Sequence, residues 1–108
     1  MLRALLFALT LLPTAAGAHS ALEVSVPSDG AAVAAPVSVL EMRFRAPIRV
    51  TRLEVEGPDG TERIEPDDPS GAAFAVPVDL SAGVYTVYWI GLGADGHPMR
   101  GSFAFEAE

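Results

Sequence analysis

Beyond residue 18, apolar residues recur at every second position through most of this chain, and no stretch keeps a helical period over a useful length. Leu22, Val24 and Val26 alternate with smaller or polar neighbours, which predicts a half-buried strand over 21–26. Pro27-Ser28-Asp29-Gly30 then reads as a turn, since proline fixes φ and glycine accepts a left-handed position. Residues 31–36 are small and patternless, an irregular edge. Alternation returns over 37–44, with Leu40, Met42 and Phe44 on one face and Glu41 and Arg43 on the other.

Ala46-Pro47 is expected to interrupt the pairing, because proline cannot donate to a ladder. Residues 49–56 resume it, with Val50, Leu53 and Val55 inward and Arg52, Glu54 and Glu56 outward. Pro58-Asp59-Gly60 predicts a hairpin returning through 61–64. An acidic loop over 65–71, a short strand over 74–78 and a turn at Ser81-Ala82-Gly83 follow. The segment 84–90 is β-branched and aromatic throughout, and is expected to be a central strand buried on both faces. Residues 91–98 form a loop, and 99–106 close the chain with Phe103 and Phe105 on one face. About seven short strands with a turn signal every ~8–12 residues predict an all-β domain, a β-sandwich or Greek-key barrel.

The first 18 residues follow a different rule. Met1-Leu2-Arg3 is a short basic start, residues 4–12 are an apolar run, Pro13 breaks it, and Ala16-Gly17-Ala18 supplies small residues for a signal peptidase. The run is too short to span a bilayer as a helix. The expectation is a cleaved signal peptide over 1–18 and an exported, periplasmic domain over 19–108, which would begin at His19.

Charge and cysteine content narrow the chemistry. The full chain has 7 basic and 14 acidic side chains and a net charge of −7. Loss of Arg3 with the leader makes the exported domain one unit more negative. That charge argues against nucleic acid or anionic membrane as a partner. With no cysteine, neither disulfides nor thiolate chemistry is available, and the apolar core must hold the domain, with whatever help a bound metal gives.

The two histidines stand at telling places. His19 would carry a free amine after cleavage, so its amine nitrogen and Nδ1 could chelate one metal ion. His97 lies in Ala94-Asp95-Gly96-His97-Pro98, with a carboxylate two residues before it. Each piece has an ordinary reading: Asp95-Gly96 is a common turn dipeptide, and a surface histidine is usually just solvated. Together, an amine, two imidazoles and a carboxylate form a nitrogen–oxygen donor set for Cu(II), with tetrahedral zinc the main competitor. Soft ligands for Cu(I) are scarce: Met42 is on an inward face and Met99 stands alone beside the loop.

The mature chain resembles the CopC family of periplasmic copper-resistance and copper-carrier proteins. The resemblance lies in His19, Pro27-Ser28-Asp29-Gly30-Ala31, Ala35-Pro36 and Val39-Leu40-Glu41-Met42-Arg43-Phe44. It is most specific in Gly83-Val84-Tyr85-Thr86-Val87-Tyr88-Trp89, then Ala94-Asp95-Gly96-His97-Pro98 and Gly101-Ser102-Phe103. It implies a seven-stranded Greek-key β-barrel of the cupredoxin-like or immunoglobulin-like sort, with Cu(II) bound by His19, Asp95 and His97. It also implies a non-enzymatic carrier or buffer that passes copper to an inner-membrane transport protein. Departures are visible too. Ala21 replaces a second histidine of some relatives, a methionine-rich Cu(I) loop is missing, no glutamate stands at Arg45-Ala46-Pro47, and Gly93 replaces a serine. The expectation is a Cu(II)-only member, monomeric by default.

Two other classes compete. A copper-dependent oxidoreductase could use the same N-terminal histidine chelate, but a carboxylate in the copper plane and so small a domain speak against it. A structural β-sandwich would leave both histidines incidental.

Overall fold

The computed structural model describes residues 21–108; the expected leader and His19 lie outside them. In chain order the strands are β1 (Leu22–Val26), β2 (Ala31–Val33), β3 (Val37–Gly57), β4 (Gly60–Arg63), β5 (Ser70–Leu80), β6 (Gly83–Leu92) and β7 (Pro98–Ala107), with no helix among the described residues. The all-β expectation of seven strands holds, although β5 is longer than the expected 74–78 and the division into strands differs in two places.

The first difference is β3, which runs unbroken for 21 residues through Ala46-Pro47. Its first half pairs antiparallel with β1 and β5, and its second half with β6 and β4. The β3–β5 register shifts between Arg43 and Ile48, so Pro47 falls in the gap where no ladder bond is asked of it. Pro47 marks the corner at which one strand passes from one layer to the other. The second difference is Ala31–Val33, which forms β2 and pairs parallel with β7. Its small side chains carry little strand signal. The preceding turn secures it instead: the Ala104 N–H donates to Asp29 Oδ1 at 2.9 Å, and the Gly30 N–H to the Ala104 carbonyl at 2.7 Å.

The sheet therefore curls into two layers, β1–β3–β5 and β4–β3–β6–β7–β2, closed over one core. Phe44 from the first layer meets Trp89 from the second edge to face, centroids 4.9 Å apart and planes at 79°. Such a pair is worth about 0.5–1.5 kcal/mol beyond the area it buries. Leu40, Leu53 and Val87 are fully buried around it. Gly101 lies opposite Trp89 on β7, and a Cβ there would come within 2.7 Å of the indole, so only glycine lets the ring lie flat under the strand. The Tyr85 hydroxyl donates to the Ser81 carbonyl at 2.7 Å, tying β6 to the turn before it.

Two expected faces are corrected. In β1 the register shifts between Leu22 and Val24, and this reverses the side of every later residue. Val24 and Val26 consequently face solvent, each nearly half exposed. β6 is central but buried on one face only: Tyr85, Val87 and Trp89 point inward, whereas Val84 and Tyr88 are exposed.

Candidate metal centre

The loop between β6 and β7 is short and internally bonded. The Gly96 N–H donates to the Gly93 carbonyl at 2.9 Å and the Gly93 N–H to the His97 carbonyl at 3.1 Å, which closes a turn around Ala94 and Asp95. Gly96 takes φ +80°, a left-handed position that favours glycine. Asp95 then folds back on the residue two ahead. Its Oδ1 accepts the His97 backbone N–H at 3.0 Å, and its Oδ2 lies 2.8 Å from His97 Nδ1.

This pairing sets the chemistry of the imidazole. A carboxylate only accepts, so Nδ1 carries the proton it shares with Asp95 and Nε2 is the nitrogen free to bind a metal. The arrangement is the one by which a carboxylate orients a metal-binding histidine and raises its basicity. The side-chain hydrogen bond from His97, followed by the backbone one, holds the Asp95 carboxyl below the usual carboxylate range. The same bond to Asp95, with the carboxylate's charge, pushes the His97 imidazole above the usual histidine range. Both side chains are largely exposed, 82% for His97 and 68% for Asp95.

Met99 lies beneath the loop. A Cβ on Gly93 would approach Asp95 Oδ1 at 3.1 Å and Met99 Cε at 3.4 Å, so the absent side chain leaves room for both. Met99 is half-buried and packs against the core.

Of the expected ligands, Asp95 and His97 are together, and among the described residues no third histidine, aspartate or glutamate joins them. His19 lies outside the described residues. The chain nevertheless arrives at this end of the barrel. The Arg45 N–H donates to the Ala21 carbonyl at 3.0 Å at the β3 corner, and a few residues on, Arg49 pairs with Leu92, the last residue of β6 before the loop. Two residues reach at most about 7 Å, which is the tether between Ala21 and His19. The residue pattern alone did not reveal the double role of Asp95, orienting both the backbone and the ring of His97. An aspartate two residues before its partner is the signal for it, because that spacing is the one that forms a side-chain turn.

The CopC domain model matches residues 22–108. Among solved structures, the chain is similar to the selenomethionine form of PcoC, a copper resistance protein from Escherichia coli, at 27% identity and a TM-score of 0.56, covering 81% of this chain and 98% of that one. It is also similar to PcoC from the same organism, described as a methionine-rich copper resistance protein, at 27% identity and a TM-score of 0.57, covering 84% and 100%. CopC from Methylosinus trichosporium OB3b shares the fold at 23% identity and a TM-score of 0.65, covering 83% and 94%. No match was found among curated proteins.

Proposed function

We propose that this chain, which belongs to the CopC family, is an exported Cu(II)-binding protein of copper resistance. It holds the ion with His19, Asp95 and His97 and passes it to an inner-membrane transport protein. The observation that carries this reading is the 2.8 Å pairing of His97 Nδ1 with Asp95 Oδ2, which leaves Nε2 as a metal donor on an exposed loop. Nitrogen and oxygen donors suit Cu(II), which also stands at the top of the divalent affinity order.

In this reading each residue has a separate task. His97 contributes Nε2. The Asp95 carboxylate orients the ring in the metal-free protein, and to serve as a ligand it must release the Nδ1–H and offer Oδ2 to the ion. His19 contributes its amine and ring nitrogen once the leader over 1–18 is removed in the periplasm. Copper is cargo, and the protein acts as a buffer and carrier with no reaction to catalyse. The E. coli neighbour PcoC, named as a copper resistance protein in both of its structures, supports the assignment to copper.

The test is a Cu(II) titration of residues 19–108 followed by EPR. One tightly held equivalent with a nitrogen-rich tetragonal spectrum supports the reading. Two tight equivalents, or a preference for Cu(I), contradict it.

A further inference from the structure

The outer face of β3, β6 and β7 next to the metal loop differs from the rest of this acidic surface. Cross-strand register places Arg49, Leu92 and Pro98 in one row, then Arg52, Ile90 and Arg100, then Glu54, Tyr88 and Ser102. Partners in register share a face, as do residues two apart on one strand. Leu92, Ile90 and Tyr88 thus form an apolar strip along β6, with Tyr88 42% exposed. Arg49 and Arg52 flank the strip on one side and Arg100 on the other. A shallow depression of about 320 Å³ opens between Tyr88, Ile90, Arg100 and Ser102.

Two of the three charges are free of ion pairs among the described residues. Arg52 pairs with Glu54 at 3.0 Å, while Arg49 and Arg100 make no ion pair among the described residues. All three guanidinium groups are on exposed residues. In a chain with 14 acidic side chains against 7 basic ones, such a cluster around an apolar strip is a local reversal of sign.

We propose that this face docks an acidic segment of a partner protein, with carboxylates on Arg49, Arg52 and Arg100 and an apolar side chain over Ile90 and Tyr88. Arginine and tyrosine are the residues enriched where interfaces gain most of their energy, and the guanidinium fork matches a carboxylate. A discrete segment fits better than an anionic lipid surface, because Glu54 and Glu56 share the face and would meet any extended sheet of negative charge. A second copy would bring arginines against arginines if it used the same face. Leu92 and Pro98 flank the metal loop, so the docked segment would lie beside His97. Delivery of copper to that partner rests on the function proposed above; the docking does not.

The experiment uses metal-free residues 19–108 and a synthetic peptide of several glutamates around one leucine, followed by the backbone amide spectrum. Shifts should concentrate at 49–54, 88–92 and 98–102 and fade as salt is raised through about 0.1 M and above. The double variant Arg52→Gln/Arg100→Gln should keep the rest of the spectrum and its Cu(II) binding while weakening the peptide by roughly ten-fold. Equal binding by the double variant, equal binding of a lysine analogue of the peptide, or shifts elsewhere would overturn the proposal. So would binding to phosphatidylserine vesicles in place of the peptide. Loss of Cu(II) binding in the wild-type protein with the peptide result intact would refute the copper reading alone.

Discussion

His97 and Asp95 are joined twice: the carboxylate takes the backbone N–H through Oδ1 at 3.0 Å and faces Nδ1 through Oδ2 at 2.8 Å. One residue thereby fixes both where the imidazole is and which of its nitrogens is free. In the proposed site the pair would also set how copper and protons compete.

The bonded carboxylate favours the imidazolium, so His97 keeps its proton to a higher pH than an ordinary histidine. Copper must displace that proton, and affinity should fall as pH drops, beginning above the usual histidine midpoint of about 6.5. The ring's own contribution to folding runs the opposite way: it is present at low pH, is lost as pH rises through the raised value, and is small on so exposed a side chain. Asp95→Asn should bring the His97 midpoint down toward the ordinary value in an NMR titration. An unchanged midpoint would show that the carboxylate does not govern the ring.

His97→Ala removes a donor, whereas Asp95→Asn removes an orienting charge and leaves a weaker oxygen. The histidine variant should lose more Cu(II) affinity than the roughly 10–100-fold typical of a residue that orients a ligand, and Asp95→Asn should stay within that range. Both should remain folded, because the turn is closed by backbone bonds among Gly93, Gly96 and His97. Circular dichroism and competition titrations with a chelator separate loss of fold from loss of metal.

Trp89 is a core residue. Truncation to alanine should cost about 3–5 kcal/mol in urea unfolding. Its Nε1 is buried with no hydrogen-bond partner, so Trp89→Phe, which keeps an aromatic ring against Phe44, should cost less than half as much. A Trp89→Phe variant as unstable as Trp89→Ala would mean that the indole nitrogen has a partner.

Asp29 ties the β1–β2 turn to β7 through the Ala104 N–H. Asp29→Ala should lower stability by about 1 kcal/mol and speed hydrogen exchange at Ala104. Unchanged exchange there would make the contact incidental.

The alternation of Leu40, Met42 and Phe44, and of Val50, Leu53 and Val55, was readable because a one-sided buried strand must repeat every second residue. The outward turn of Val24 and Val26 was not readable, since a bulge that reverses a strand's faces leaves no mark in the residue pattern. Pro47 misled for a related reason: its meaning depends on whether a ladder partner is present, and the corner of β3 has none. Asp95 and His97 could be found because their chemistry is local. Arg49, Arg52 and Arg100 come together only through strand register, which no single stretch of sequence displays.

The central claim is that the amine of His19 and the imidazole of His97 hold one Cu(II) between them. The most direct measurement compares residues 19–108 with the same protein carrying one extra residue before His19, by Cu(II) affinity and EPR. An amide nitrogen in place of the amine removes one arm of the chelate. The extended protein should therefore bind far more weakly and give an altered spectrum, while its amide spectrum stays that of the folded domain. Equal affinity and identical spectra in the two proteins would contradict the claim.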